Sequence, residues 1–220
     1  MLSIKRDEPL IIALARGRIL KSALPFLEML KIKPKQSLST SRRLLFNTNK
    51  EDIDLLILRS ADIPPYLERG VAHVAIVGKD TLLEHDSKLL CEPVDLGFAK
   101  CKLMTAVPIG KNLPKNGRIK VATKYVSIAR KYFGSLGRQI DLVHLNGSME
   151  LAPIVGLSDV IVDVVNTGKT LKENGLEARD IVAYSSARLA TSRVAMKTRA
   201  SQIKPLIELS SRYSDYAGLK

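Results

Sequence analysis

Short apolar runs recur along the chain, and they constrain its fold more than any other feature of the sequence. Each run is bounded by Gly, Pro, Asp or Asn, the pattern typical of strands that a sheet buries on both faces. The runs occupy residues 10–14, 53–58, 73–77, 103–107, 119–123, 140–145, 160–165 and 181–184. We predict a strand at each of these positions.

Segments with helical periodicity separate several of the runs. They span residues 20–30, 63–68, 126–135, 149–157 and 168–174, and residues 201–213 have the pattern of a closing amphipathic helix. Strands that alternate with helices predict an α/β fold with a largely parallel sheet. A chain of 220 residues suffices for one large domain or for two lobes of about 100 residues each. If there are two lobes, the chain would pass from one to the other near residues 99–102.

The formal net charge of +13 indicates an anionic partner, because a surplus of Lys and Arg raises the local concentration of anions. The basic residues are spread along the chain, and aromatic residues do not alternate with them as they do in proteins that stack bases. This distribution disfavours nucleic acid. A pocket for polyphosphate substrates and an ordinary lysine-rich surface both remain compatible with it.

The cysteines and histidines exclude several kinds of chemistry. Cys91 and Cys101 lie ten residues apart with no histidine at ligand spacing, so neither a zinc site nor a disulfide framework is indicated. None of the three histidines lies beside a Ser or Cys in a nucleophile signature. We therefore expect no side-chain metal site and no covalent hydrolase.

The first residues of the sequence bear on location. Asp7 and Glu8 stand where a secretory signal needs an apolar stretch, and no apolar run approaches the roughly 18 residues of a membrane span. The expectation is a cytoplasmic protein with no membrane partner.

The segment at residues 163–171, DVVNTGKTL, is the most informative for chemistry. A strand that runs directly into a Thr/Gly-rich turn and a helix presents backbone N–H groups to an anion, together with the hydroxyls of Thr167 and Thr170. Asp163 at the strand end has acceptor oxygens suited to ribose hydroxyls. The segment matches neither the P-loop nor the GxGxxG pattern. An Asx-capped turn in which Gly168 supplies a special backbone angle is the structural alternative.

Two pairs of arginines suit a diphosphate. Arg16 and Arg18 flank a glycine directly after the first predicted strand, and Arg42 and Arg43 follow a serine. Guanidinium groups hold phosphate oxygens by bidentate hydrogen bonds, and such groups would stabilise a departing pyrophosphate. Each pair taken alone is more typical of exposed or ion-paired surface arginines.

A second turn follows the predicted strand at residues 140–145. In the sequence NGSME at 146–150, Ser148 is placed to cap a helix, with Glu150 in its first turn. Glu150 has a second interpretation, as an acceptor of a hydroxyl or amino proton at the end of the sheet. At a similar junction after residue 77, Asp80 is predicted to be an N-cap.

Together these segments resemble the ATP phosphoribosyltransferase family in its short form. The matching segments, in chain order, are ALARGRIL at 13–20, SRRLLF at 41–46, ILRSADIPPYLERGVAHVAIVGKD at 57–80, DLGFAKCKL at 95–103, VATKY at 121–125, LNGSMELAP at 145–153 and DVVNTGKTLKENGLE at 163–177. The likeness covers nearly the whole chain.

The resemblance implies a reaction and a fold. In the reaction, N1 of ATP attacks C1 of 5-phosphoribosyl 1-pyrophosphate in the presence of Mg²⁺, which is bound with that substrate. The products are 1-(5-phosphoribosyl)-ATP and pyrophosphate, in the first step of histidine biosynthesis. The fold implied is two-lobed α/β, of the type II periplasmic-binding-protein kind, with the active site in a cleft between the lobes. Residues 1–100 and 187–220 would form lobe I, and residues 101–186 lobe II.

The resemblance also implies roles for individual residues. Residues 163–170 resemble the phosphoribosyl pyrophosphate loop, and Arg18 and Arg42 resemble the catalytic arginines that steady the pyrophosphate. The sequence departs from the family pattern at Arg16, where Lys is more usual, and at Asn166, where Ser or Asp is common. The residues implied to bind substrate are Arg16, Lys102, Glu150, Asp163, Thr167, Gly168, Lys169 and Thr170.

The resemblance further implies a partner. Short-form enzymes lack the C-terminal regulatory domain of the long form and work with a regulatory subunit similar to histidyl-tRNA synthetase. The chain would then form homodimers within a hetero-octamer. Two other classes of function remain open from the residues alone: a non-catalytic solute-binding protein, which would normally carry an export signal, and a basic nucleic-acid module.

Overall fold

The computed structural model describes residues 8–38, 41–114 and 117–218, and for residues 215–218 it describes the backbone only. The strands are β1 (Leu10–Ala15), β2 (Leu45–Asn47), β3 (Ile53–Leu58), β4 (Val74–Gly78), β5 (Leu90–Asp95), β6 (Cys101–Pro108), β7 (Ile119–Thr123), β8 (Ile140–His144), β9 (Val160–Val165), β10 (Leu176–Ser185) and β11 (Ala187–Ser192). The helices are α1 (Arg18–Met29), α2 (Ile63–Glu68), α3 (Lys79–His85), α4 (Val126–Ser135), α5 (Leu151–Ile154), α6 (Lys169–Glu173), α7 (Arg193–Thr198) and α8 (Ala200–Gly218).

Contacts divide the chain into two compact units. The first comprises the described residues up to Leu82, Ser87–Ala99 and the residues from Ser186 onward; the second comprises Leu83–Asp86 and Lys100–Ser185. The chain thus passes into the second unit after Ala99 and returns after Ser185. No helix in the described part of the chain combines the length and apolar character that a membrane span requires.

Each unit is built on one mixed sheet. The first has the strand order β2-β3-β1-β4-β11-β5, and the second has the order β10-β6-β9-β7-β8. Among the described strands, β1 pairs in parallel with β3 and β4, and β7 pairs in parallel with β8 and β9; the other pairs are antiparallel. The prediction of a largely parallel sheet is therefore wrong. A parallel neighbour needs a crossover of about a dozen residues or more, and a connection as short as that between β2 and β3 permits only antiparallel pairing.

The central strands have helices on both faces. In β1, Leu10, Ile12 and Leu14 pack in one cluster with buried residues of α1 and α8, whereas Ala13 and Ala15 pack on the opposite face with buried residues of α2. The central strands of the second unit likewise contribute to two clusters, one containing α4 residues and the other α5 and α6 residues. Burial on both faces explains why these strands are continuous apolar runs in the sequence.

The remaining differences from the predicted elements occur where periodicity is weak. Strands β2, β5 and β11 and helix α7 were not predicted, because they are short or mix polar with apolar residues, and of α3 only the beginning at Asp80 was predicted. The helix predicted at 149–157 is reduced to α5, and it ends near Gly156, which has a left-handed φ of 76°. Strand β8 lies at a sheet edge and is only partly buried. Asp80 lies in the first turn of α3 rather than at an N-cap, since α3 begins at Lys79.

His73 is held in its neutral form by the first sheet. Its Nδ1 accepts the backbone N–H of Ile11 at 2.9 Å, and its carbonyl accepts the Thr191 hydroxyl at 2.7 Å. Burial lowers the pKa of His73, and the charge of Arg199 lowers it further, while Glu8 acts in the opposite direction. A ring nitrogen that accepts a hydrogen bond carries no proton, so protonation would break the bond to Ile11.

We predict that His73 makes the protein less stable in mild acid. The unfolded chain binds a proton at the ordinary histidine pKa of about 6.5, whereas the pKa of His73 is lower in the folded chain. The stability that the neutral His73 contributes is therefore fully present above that pH and is lost as the pH falls below it. His73→Asn keeps an acceptor near Nδ1 and should flatten the decline in melting temperature between about pH 7 and pH 5. His144→Asn, at an exposed position, is the control; an equal flattening by both variants would contradict the prediction.

Candidate active site

The segment after β9 has the predicted strand-turn-helix form. Val160, Ile161 and Val162 are buried, and the chain reaches the surface from Asp163 onward. Gly168, at the N-cap of α6, has φ 72° and ψ 3°, a left-handed conformation that glycine adopts without strain. Leu171 is buried and anchors α6 against the sheet. The turn is thus fixed at both ends while its polar residues remain accessible.

Polar groups of this turn are available to an anion. No side chain caps α6, and the Thr167 hydroxyl only weakly accepts the Lys169 N–H, at 3.4 Å. Lys169 and Thr170 are exposed, and the Lys169 ammonium lies 3.8 Å from Glu173. Since α6 has only five residues, its dipole is small. The hydroxyls, backbone N–H groups and lysine of the turn therefore supply the attraction for an anion.

Asp163 lies at the beginning of this turn and is oriented by its neighbours. Its Oδ1 accepts the N–H of Val164 at 2.8 Å, and the Lys124 ammonium lies 3.8 Å from the same oxygen. The Asp163 side chain is 24% exposed. A carboxylate that is held in place at the end of a strand and remains accessible suits a ligand that bears hydroxyl groups.

One pocket of the second unit brings together most of the predicted substrate-binding residues. Its floor is formed by residues of β6 and β9, including Met104 and Ile161. The predicted residues that line it are Glu150, Asp163, Thr167, Gly168, Lys169 and Thr170.

Lys102 lines an adjoining pocket rather than this one. The two pockets share Thr167 and Gly168. Lys102 is opposite Tyr184 in the pairing of β6 with β10, and its ammonium lies 5.9 Å from the centre of the Tyr184 ring. Lys102 thus lies in the pocket that adjoins the turn and not in the pocket that contains Asp163.

Glu150 reaches the pocket from a turn whose geometry was not predicted. Helix α5 has Glu150 itself at the N-cap, and no side chain caps it, so the predicted capping role of Ser148 is wrong. Ser148 has a φ of 51°, a left-handed conformation, whereas a capping residue normally has an extended backbone. The helix consequently begins later than predicted, which leaves Glu150 as the residue that borders the pocket.

Arg16 and Arg42 line a pocket of the first unit, together with Ser41 and Arg43. Arg16 continues β1, and its backbone N–H donates to the carbonyl of Leu58 at 2.8 Å. Gly17 then takes φ 84° and ψ −130°, which turns the chain sharply into α1. Arg18, the first residue of that helix, is exposed and is not among the residues that line the pocket. The structure therefore groups Arg16 with Arg42 and leaves Arg18 outside.

Several residues of the candidate site were missed by the sequence analysis. Met104 and Tyr184 line the pockets, and Lys124 lies beside Asp163. Lys124 had a signal in the sequence, because it directly follows a predicted buried strand, where ligand-binding residues of α/β sheets commonly lie. Met104 and Tyr184 had none, since their strands are distant in sequence from the turn.

The described residues contain no group of three or more His, Cys, Asp or Glu side chains that would hold a metal ion. Asp163 and Glu150 are the carboxylates that border the pocket at the turn after β9. Any divalent cation there would take most of its ligands from a bound substrate or from water.

Comparisons with known proteins show the family of the chain. The family model described as "HisG: ATP phosphoribosyltransferase" matches residues 59–210. The ATP phosphoribosyltransferase of Marinomonas sp. (strain MWYL1) is 51% identical over 206 residues, which is 94% of this chain and 96% of that protein. The ATP phosphoribosyltransferase of Saccharophagus degradans is 53% identical over 202 residues, 92% of this chain and 94% of that protein.

Two solved structures have folds similar to that of this chain. The ATP phosphoribosyl transferase (HisG:HisZ) complex from Thermotoga maritima contains a chain with a TM-score of 0.81 and 30% identity, covering 94% of this chain and 99% of that one. The periplasmic aliphatic sulphonate binding protein SsuA from Escherichia coli has a TM-score of 0.58 at 12% identity, covering 94% of this chain and 72% of that one. The second likeness is one of fold alone. The predicted α/β fold of the periplasmic-binding-protein type is confirmed.

We predict that Gly168→Ala destabilises the protein although space is available for the added methyl group. A Cβ at this position would meet only Val165 Cγ1, at 3.9 Å, so the cost is conformational. A left-handed φ costs an L-residue roughly 1–2 kcal/mol, which urea unfolding would measure. The matched control is Gly134→Ala in α4, where nothing lies within 4 Å and φ is not left-handed. That variant should gain up to about 1 kcal/mol, and equal stability of the two variants would contradict the strain at Gly168.

Proposed function

This chain belongs to the ATP phosphoribosyltransferase family, in its short form, and from that premise we propose which of its residues carry the reaction. The family is one of pentosyltransferases. N1 of the ATP adenine attacks C1 of 5-phosphoribosyl 1-pyrophosphate, which gives 1-(5-phosphoribosyl)-ATP and pyrophosphate in the first step of histidine biosynthesis. What remains to be assigned is the role of each side chain.

The turn after β9 binds the ribose 5-phosphate in this proposal. The observation that carries it is the convergence of six predicted residues on one pocket at the end of a buried strand. Thr167, Gly168, Lys169 and Thr170 offer hydroxyls, backbone N–H groups and an ammonium to the phosphate. Asp163 accepts hydrogen bonds from the ribose hydroxyls. Glu150, which also lines the pocket, is available to a hydroxyl or amino group of either substrate.

The arginines of the first unit act on the diphosphate. Arg42 and Arg16 line one pocket and present two guanidinium groups, which bind phosphate oxygens in bidentate fashion. Arg18 is an exposed cation close by in the sequence and would reach the same ligand by side-chain movement. Negative charge develops on pyrophosphate as its bond to C1 breaks, so these cations lower the barrier more than they strengthen substrate binding.

No general base is required at the nucleophile. The adenine N1 carries a lone pair, and orientation of this atom towards C1 supplies much of the rate enhancement. Lys102 and Tyr184 border the pocket that adjoins the turn, and Lys102 is available to an anionic group of either substrate. The chain's task is thus to bind two anionic substrates in the correct orientation and to stabilise the leaving group.

Mg²⁺ fits this site as a companion of the substrate. The ion prefers oxygen ligands and is usually held by one or two carboxylates together with substrate phosphates. Asp163 and Glu150 are the carboxylates of the pocket that would hold it. When bound, Mg²⁺ would neutralise charge on the diphosphate.

We extend the proposal to a regulatory partner. The Thermotoga maritima structure is of a HisG:HisZ complex, and its matching chain has a TM-score of 0.81. By that likeness this chain would assemble with a regulatory subunit. The family resemblance of its sequence implies that this subunit is similar to histidyl-tRNA synthetase and that the chain forms homodimers within a hetero-octamer.

We expect Arg42→Ala to lower kcat by on the order of 100-fold while the KM for ATP changes little, because the lost guanidinium acts on the leaving diphosphate. Initial rates at saturating phosphoribosyl pyrophosphate would measure this. Arg130→Ala removes an equally exposed arginine from α4 and should leave kcat unchanged. An unchanged kcat in Arg42→Ala would remove Arg42 from the mechanism.

We also expect the purified chain to form phosphoribosyl-ATP when ATP, phosphoribosyl pyrophosphate and Mg²⁺ are supplied, since its own residues provide both sets of anion contacts. Absorbance would follow the product, with pyrophosphatase present to pull the reaction forward. Chelation of Mg²⁺ should stop the reaction. Product only after addition of the synthetase-like subunit would show that the chain needs its partner, and no product in either case would contradict the assigned roles.

A further inference from the structure

Lys124 lies beside the phosphoribosyl pyrophosphate loop although it is distant from the loop in sequence. It directly follows β7, which pairs in parallel with β9, and Thr123 is opposite Val162 in that pairing. Parallel strands end at the same edge of a sheet, so the residue after β7 and the end of β9 meet there. The Lys124 ammonium accordingly lies 3.8 Å from Asp163 Oδ1.

Hydrogen bonds fix the backbone on both sides of Lys124. Thr123 is fully buried, and its hydroxyl donates to the carbonyl of Val162 at 2.6 Å and accepts the N–H of Tyr125 at 2.9 Å. The Thr123 side chain thus links Tyr125, the residue after Lys124, to Val162, the residue before Asp163. The Lys124–Asp163 ion pair is therefore positioned by a side-chain hydrogen bond that links β7 to β9.

The beginning of α4 is also fixed by hydrogen bonds to a carboxylate of α3. Glu84 accepts the backbone N–H of Ser127 at 2.9 Å and that of Ile128 at 3.1 Å. A carboxylate at these two donors caps the first turn of the helix. The segment from Thr123 to Ile128 therefore has little freedom to carry Lys124 away from Asp163.

The side chain of Lys124 is also constrained. Its ammonium lies 4.8 Å from the centre of the Tyr125 ring, a favourable cation–π distance, and Tyr125 is itself buried. The 3.8 Å separation from Asp163 is an ion pair but is too long for a hydrogen bond. Lys124 remains 42% exposed, so its N–H donors stay available. By contrast, Lys169 of the loop is 80% exposed and lies 3.8 Å from Glu173.

We propose that Lys124 is a positioning residue for phosphoribosyl transfer: its ammonium, held by the Thr123 cross-link and the Tyr125 ring, keeps the Asp163 carboxylate oriented towards the ribose hydroxyls. The inference rests on the proposed role of Asp163. Ribose contacts exist both before and during the reaction, so the effect falls on substrate binding.

A double-mutant cycle tests this inference. Lys124→Met keeps the length of the side chain without its charge, and it should raise the KM for phosphoribosyl pyrophosphate about three- to fivefold, the scale of a partly exposed ion pair. Its kcat and its melting temperature should change little. Lys124→Arg should restore most of the affinity. In an Asp163→Asn background, Lys124→Met should have no further effect on KM, because the two residues act as a unit.

The matched control is Lys120→Met on the same strand. Lys120 is exposed, and it bonds to Asp159 through its backbone N–H, so loss of its ammonium should leave KM unchanged. If Lys124→Met raises KM equally with and without Asp163→Asn, or not at all, the positioning role is overturned. If Asp163→Asn alone leaves KM unchanged, the proposed role of Asp163 fails instead.

Discussion

The parallel pairing of the central strands is the constraint on which both groups of functional residues depend. In the second unit, β7 lies parallel to β9, and the buried Thr123 hydroxyl connects the two strands one residue before Asp163. In the first unit, β1 lies parallel to β3, and Arg16 extends that pairing through its bond to Leu58. The carboxyl ends of neighbouring parallel strands meet at one edge, which is where α/β sheets bind ligands.

The antiparallel strands have a different role in this architecture. They adjoin the parallel strands, and β6, which lies between β9 and β10, contributes Met104 and Lys102 beside the turn. Such strands mix exposed with buried residues, so they bring polar groups to the pocket without disturbing its buried floor. Among the helices, α6 contributes the buried Leu171, which holds the turn after β9 against the sheet.

The chemistry of the site is chiefly electrostatic. The reaction joins two anionic substrates and releases a third anion, and the candidate residues are predominantly cations, hydroxyls and backbone N–H groups. A net charge of +13 raises the local concentration of such substrates over the whole surface. In the proposed assignment, the pocket residues add what a diffuse charge does not provide, namely a fixed orientation of C1, its hydroxyls and its diphosphate.

The sequence by itself determined the central strands, the long helices and the position of the Thr/Gly-rich turn after β9. Each of these depends on local patterns: continuous apolar runs for strands buried on both faces, helical periodicity for α1, α4 and α8, and the Thr/Gly signature around Gly168. Only the tertiary structure decided that the sheets are mixed, that Glu150 rather than Ser148 lies at the start of α5, and that Arg18 lies outside the pocket that Arg16 and Arg42 share. It also decided that Lys124 lies beside Asp163. The physical reason is common to all four, because strand order, backbone handedness and contacts between distant residues depend on pairing and packing that no local window of sequence contains.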